Sequence, residues 1–175
     1  SSVVRRKHDE DPLPRTTLLG HSQGGLVVKL FLHRIGEPGA WLDKAITVGA
    51  PFYGTWSHQG RYYVGERLLN LLHGARLVAR LIGTLPGPYA LMFLSREVFA
   101  RDGERLGLAA YPMVDAGTGA EVDPYAPANR RRWPAWVGAR HLAEAKALLE
   151  TVAAPLPEAA GARFYNMRSR LDRDT

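Results

Sequence analysis

The chain has 175 residues, 46% of them hydrophobic, which is enough for one packed domain but not for two full ones. It contains no cysteine, which excludes disulfides, thiolate nucleophiles and cysteine-ligated metals. Its net charge of +6 comes from arginines spread along the sequence, with dense runs only at residues 5–7 and 130–132. This distribution favours a solvated surface over a nucleic-acid partner.

No apolar stretch reaches the roughly 20 residues that cross a bilayer, and no signal-peptide pattern is present. A soluble or peripheral chain is therefore expected. Localisation and oligomeric state stay open.

A strand, a tight turn and a helix are predicted after Pro14. Residues 16–19 form a short β-branched and apolar run that Gly20 ends, as in a buried strand of a parallel sheet. After Ser22, apolar residues recur at helical spacing until Gly36, namely Leu26, Val27, Leu30 and Phe31. The opposite side of this helix is predicted to be polar and carries Lys29, His33 and Arg34.

A second strand is predicted at residues 44–48, which closes a β-α-β unit with parallel strands and gives an α/β fold class. Residues 51–134 are richer in glycine, proline and aromatic residues, and they contain candidate helices at residues 65–82 and 89–101. We interpret this stretch as an inserted helical cap. A helix over residues 139–153 and a strand over residues 163–167 then return to the sheet, so residues 1–175 form a single partial domain.

The residues Gly20-His21-Ser22-Gln23-Gly24 match the pattern G-x-S-x-G. The pattern follows a predicted strand and opens a predicted helix, which is the context that a nucleophile elbow requires. In such an elbow Ser22 is the nucleophile, and glycines at positions 20 and 24 are predicted to remove side-chain collisions in the strained turn. The backbone N–H of Gln23 is the predicted oxyanion donor. The alternative is a glycine-rich turn with an ordinary helix-capping serine.

The other histidines and aspartates that could serve the reaction are weaker candidates for a catalytic role. His21 is not a suitable base for Ser22, because adjacent residues on an elbow point in different directions, and it is expected to be a packed turn residue. His141 is expected on the surface of the helix over residues 139–153. Asp115 and Asp123 are expected to serve turns. Asp172 and Asp174 follow the last predicted strand and remain candidates for the catalytic acid.

Two segments resemble a known group of proteins. Residues 20–25, GHSQGG, resemble the elbow of bacterial lipases, and residues 45–55, AITVGAPFYGT, resemble the next strand and loop in the lecithin:cholesterol acyltransferase-like group of α/β-hydrolases. Looser similarities occur at residues 85–94, 111–112, 123–125 and 164–166. The resemblance implies a partial α/β-hydrolase fold, a mostly parallel sheet with an inserted helical cap, and the chain order serine, acid, histidine. It does not imply a substrate, because the cap varies within the superfamily.

The predicted function is hydrolysis of lipid esters, or O-acyl transfer, through an acyl-enzyme on Ser22, with no cofactor and no metal. No histidine follows the last predicted strand. We therefore expect the triad acid and histidine to lie beyond residue 175 and the chain to be an inactive fragment by itself. Two alternatives stay open: a small-ester or thioester hydrolase, and an inactive hydrolase-like binding module.

The expected partner is a lipid or small-ester substrate. An apolar surface along residues 64–82 predicts either a helix packed on the core or a lid that makes peripheral contact with lipid.

Overall fold

The computed structural model describes residues 15–55, 84–104, 109–111, 113–115, 117–133, 135 and 137–168. The candidate helix at residues 65–82, the carboxylates Asp172 and Asp174, and the basic run at residues 5–7 lie outside the described residues. The chain divides into two compact units, of which the first comprises Ser1–Phe52 with Ala154–Thr175 and the second comprises Tyr53–Ala153.

The helices and strands follow one another in an α/β order. In chain order they are β1 (Thr16–His21), α1 (Gln23–Ile35), β2 (Leu42–Val48), α2 (Pro86–Tyr89), α3 (Arg96–Asp102), α4 (Ala139–Ala153), α5 (Glu158–Gly161) and β3 (Phe164–Met167). Short 3-10 helices occur at Gly39–Trp41 and Pro127–Arg132. Gly36 ends α1 as predicted: its φ is 67°, and its N–H donates to the carbonyl of Leu32.

The first unit contains a parallel sheet of three strands in the order β1-β2-β3. The register places Leu19 opposite Ile46, and Ile46 opposite Tyr165. The predicted α/β class with a parallel sheet is therefore confirmed for the described residues. The core of this unit lies between α1, α5 and one face of the sheet, and its buried residues are Leu32, Trp41, Leu42, Ala45 and Ala160.

The orientation of α1 differs from the prediction. Lys29 is buried, with 9% of its surface exposed, whereas Val27 is 63% exposed. The cause is the close approach of Gly25 to the sheet, because residues at positions 25, 29 and 32 lie on one side of a helix. Lys29 therefore faces the sheet together with Leu32, and the amphipathic pattern alone placed it on the wrong side.

One face of the sheet remains uncovered among the described residues. Leu19 is 71% exposed, Tyr165 is 50% exposed, and Met167 is 59% exposed. These three side chains share the face opposite to α1, because side chains alternate along a strand and the register aligns them.

The second unit has its own core. Buried residues form two clusters there: Tyr89, Met92, Val137, Leu142, Ala145 and Leu149 in one, and Phe93, Leu94, Val98, Tyr111 and Ala153 in the other. Two tyrosine hydroxyls donate hydrogen bonds to backbone carbonyls of this core: Tyr125 donates to Phe93, and Tyr111 donates to Leu94. The helix α4 belongs to this unit.

The predicted single helix at residues 89–101 is wrong, because the structure has two short helices in its place. Pro86 starts α2, which ends at Tyr89. Ser95 then caps α3, and its hydroxyl accepts the N–H of Val98 at 3.3 Å. A side-chain cap of this kind starts a new helix and does not continue an old one. The helix predicted over residues 139–153 is confirmed as α4 with the predicted bounds.

Candidate functional site

The turn between β1 and α1 holds Ser22 in an unusual backbone conformation. Its φ is 52° and its ψ is −125°. Among the described residues other than glycine, Ser22 alone has a positive φ. A side chain in this region collides with its own backbone, and such a residue costs on the order of 1–3 kcal/mol. The surrounding structure must therefore hold Ser22 in place.

Two hydrogen bonds fix the backbone of Ser22. Its N–H donates to the carbonyl of Val48 at 2.9 Å, and its carbonyl accepts the N–H of Gly25 at 3.0 Å. The side chain makes no capping hydrogen bond to α1, and the residue is exposed. The alternative of an ordinary helix-capping serine therefore does not describe this residue. The hydroxyl lies outside the helix cap, beside the carboxyl end of β1.

The glycines around Ser22 have unequal roles. A Cβ at Gly20 would lie 2.7 Å from the carbonyl oxygen of Gly24, and a Cβ at Gly25 would lie 2.3 Å from the Cβ of Ala50. A Cβ at Gly24 would meet no described atom within 4 Å. The described residues therefore show none of the crowding that was predicted at position 24. Gly25, which directly follows the G-x-S-x-G pattern, is instead the glycine that the packing of α1 requires. The pair of adjacent glycines in the sequence was the signal for this requirement.

Ser22 lies at the edge of the sheet where all three strands end. The N–H of Gly49, directly after β2, donates to the carbonyl of Met167 at 2.9 Å. This bond and the bond from Ser22 to Val48 extend the strand pairing by one residue beyond β1 and β2. In α/β proteins, ligands bind at the carboxyl ends of parallel strands. Ser22 therefore lies at the edge of the sheet where α/β proteins bind ligands.

Gln23 is the first residue of α1, a helix of 13 residues. Backbone N–H groups of a first helical turn have no acceptor within their own helix, and the helix dipole places partial positive charge there. A negatively charged oxygen next to Ser22 would be stabilised by this end of α1. This arrangement is suited to the oxyanion that forms when a hydroxyl attacks an ester carbonyl.

The three described histidines lie in different environments. His21 is exposed on the same sheet face as Leu19, so the prediction of a packed residue is wrong. His33 is half-buried on α1; burial, and then the charge of Lys29, lower its pKa below the ordinary value of 6.5. Among the described residues, no imidazole forms a hydrogen bond with Ser22.

His141 is half-buried, which corrects the prediction of a surface residue. Its ring centroid lies 5.1 Å from that of Tyr89 in the core of the second unit. Its Nδ1 is buried and has no hydrogen-bond partner among the described residues. The apolar pattern of α4 marks Leu142 as a core residue, but it gives no such signal for the polar residue His141 beside it.

The described residues contain no group of three or more acidic or histidine side chains that would hold a metal ion. No helix in the described part of the chain is long and apolar enough to cross a membrane. In comparisons with known proteins, no family model, curated protein or solved structure matches the chain.

Proposed function

We propose that the chain carries the nucleophile elbow of an α/β-hydrolase and that Ser22 is the nucleophile of a lipid ester hydrolase or O-acyltransferase. The observation that carries this proposal is the backbone of Ser22, with φ at 52° between a parallel strand and a helix. Strained residues of this kind persist where the surroundings over-determine them, and they cluster at active sites. The exposed hydroxyl at the carboxyl edge of the sheet supports the same role.

The proposed reaction has two steps. The Ser22 hydroxyl attacks the ester carbonyl carbon while a general base takes its proton, and the carbonyl oxygen becomes an oxyanion that the Gln23 N–H stabilises. The intermediate collapses to an acyl-enzyme, and the alcohol leaves with a proton. Water or an acceptor alcohol then attacks the acyl carbon and gives its proton to the base; the bond to the Ser22 oxygen breaks, the acid or the new ester is released, and the base returns the proton to Ser22. Removing one oxyanion donor costs about 3 kcal/mol of transition-state stabilisation in enzymes of this kind.

The general base and its acid partner are proposed to come from sequence outside the described residues. This follows because none of His21, His33 and His141 is hydrogen-bonded to Ser22. The same observation favours a second candidate function, in which the domain is a hydrolase-like binding module without turnover. The two candidates differ in whether Ser22 is chemically activated, since an unassisted serine hydroxyl is a weak nucleophile.

The test is covalent labelling with a fluorophosphonate probe in the full product of the gene, together with turnover of long-chain and short-chain esters. We expect Ser22→Ala to abolish both labelling and turnover, because the variant lacks the hydroxyl that would carry the acyl group. Val27→Ala is the control, since Val27 is exposed on α1, the helix that follows Ser22. Undiminished turnover in Ser22→Ala would exclude Ser22 as the nucleophile. A wild-type protein that binds lipid esters without labelling or turnover would support the binding module.

A further inference from the structure

A lysine lies on the side of α1 that faces the sheet. Lys29 is buried, with 9% of its surface exposed, and it shares this side with Gly25 and Leu32. Burying an ammonium group is unfavourable unless it finds a compensating partner. One partner is the ring of Phe52, whose centroid lies 5.1 Å from the Lys29 ammonium nitrogen. At this distance the face of an aromatic ring attracts a cation, and the attraction increases when both groups are removed from water.

Phe52 lies in the loop after β2 and contacts both α1 and β3. Its side chain is 8% exposed, and its ring centroid lies 5.8 Å from that of Phe164 in β3. Its N–H donates to the carbonyl of Ala50 at 3.0 Å, which makes a tight turn. The ring of Phe52 therefore anchors residues 49–52 between α1 and the strand β3.

The same loop contacts the elbow. The Cβ of Ala50 lies so near Gly25 that a side chain at position 25 would stand 2.3 Å from it. Gly25 is in the first turn of α1, and its N–H is bonded to the carbonyl of Ser22. A displacement of Ala50 would therefore shift the first turn of α1, which includes the N–H of Gln23.

We propose that Lys29 is a positioning residue for the reaction at Ser22. Through its contact with the ring of Phe52, Lys29 holds residues 49–52 against Gly25 and so fixes the Gln23 N–H relative to the Ser22 hydroxyl. This inference rests on the proposed function. Because Lys29 acts on the oxyanion donor and not on substrate contacts, its loss lowers kcat and the rate of covalent labelling and leaves KM unchanged.

The experiment compares Lys29→Met, which keeps the bulk of the side chain without its charge, with Lys29→Arg, which keeps a cation for the ring. Both variants are made in the full product of the gene, with Lys44→Met as control, because Lys44 is an exposed lysine of the neighbouring strand β2. We expect Lys29→Met to lower kcat and the fluorophosphonate labelling rate by about tenfold or more, since small misplacements of catalytic groups have effects of this size. Lys29→Arg should keep most of the rate, and Lys44→Met all of it.

A second variant covers the case in which Lys29→Met does not fold. Phe52→Leu keeps an apolar side chain but removes the ring, and it should reproduce the loss of kcat. Combined with Lys29→Met, it should add little further loss, because both changes break one interaction. Either a wild-type labelling rate in Lys29→Met and Phe52→Leu, or equal losses in Lys29→Met and Lys29→Arg, would overturn the inference. Labelling that persists in Ser22→Ala would instead overturn the proposed function.

Discussion

Ser22 shows how far a short motif determines the conformation of a single residue. The pattern G-x-S-x-G predicted a strained turn between a strand and a helix, and the φ of 52° at Ser22 agrees with it. The pattern correctly predicted the need for glycine at position 20 but did not include Gly25, because the crowding at Gly25 comes from Ala50, which is distant in the sequence. The strained backbone of Ser22 can thus be predicted from its neighbours in the sequence. The crowding at Gly25 cannot, because it depends on which residues fold against the helix.

Asp115 is a turn carboxylate whose pKa is changed by its hydrogen bonds. Arg132 donates to its Oδ2, and the backbone N–H groups of Gly117 and Thr118 donate to its Oδ1. The bond from Arg132, followed by the bonds from Thr118 and Gly117, lowers the pKa of Asp115 from 3.8 to about 2. The prediction that Asp115 serves a turn agrees with these bonds; the partner Arg132 was not foreseen.

The lowered pKa of Asp115 makes stability depend on pH in a defined window. In the unfolded chain Asp115 binds a proton near its ordinary pKa of 3.8, whereas in the folded chain it does so only near 2. The stabilisation is therefore complete above the unfolded pKa, and it is lost as pH falls through the folded pKa. We expect the melting temperature of the wild type to fall more steeply than that of Asp115→Asn in this window. Parallel curves for the two proteins would contradict this.

At the scale of elements, periodicity predicted the helix α4 with the observed bounds because apolar residues at three- and four-residue steps, Leu142, Ala145, Leu149 and Val152, are all buried. It failed for α1, where the close approach of Gly25 brings Lys29 to the sheet and leaves Val27 exposed. It also failed at residues 89–101, where the capping hydroxyl of Ser95 interrupts the apparent helix. Periodicity describes one helix at a time and contains no information on what packs against it.

The glycine pair in the first turn of α1 gives a matched test of packing. We expect Gly25→Ala to lower the free energy of unfolding by roughly 1–3 kcal/mol, because the new methyl group would overlap Ala50. Gly24→Ala should instead raise it, by up to about 1 kcal/mol, since alanine favours a helix and position 24 is open among the described residues. Urea unfolding of the two variants and the wild type measures both effects. Equal destabilisation by the two substitutions would mean that the contact between Gly25 and Ala50 is not tight.

At the scale of the whole molecule, the sequence predicted an α/β chain with an inserted middle segment, and the structure has a parallel sheet whose strands come from both ends of the chain. The second compact unit extends to Ala153, so it includes α4, and the predicted end of the inserted cap near residue 134 stays a prediction. An amphipathic pattern such as that of α4 shows that a helix buries one side, but it does not show which core receives that side.

The distribution of histidines gives a prediction for the chain as a whole. None of the described histidines is bonded to Ser22, so the 175-residue chain alone should hydrolyse a soluble short-chain ester slowly. Single replacement of His21, His33 or His141 by alanine should leave this low rate unchanged. Initial rates on a chromogenic ester are the measurement, with Ser22→Ala as the blank. A rapid rate that depends on Ser22 and is lost in one of these variants would identify that histidine as the base.

The pairing of β2 with β3 has a consequence for how the protein is made. Thr47 and Asn166 are hydrogen-bonded across these strands although they are 119 residues apart. At about 5–20 residues per second, a ribosome needs roughly 6–24 s to synthesise the chain between them. During this interval β2 can pair with β1 but not with β3, so one of its edges stays open to strands of other nascent chains. The speed of translation through the middle of the message thus sets how long each new molecule is exposed to aggregation.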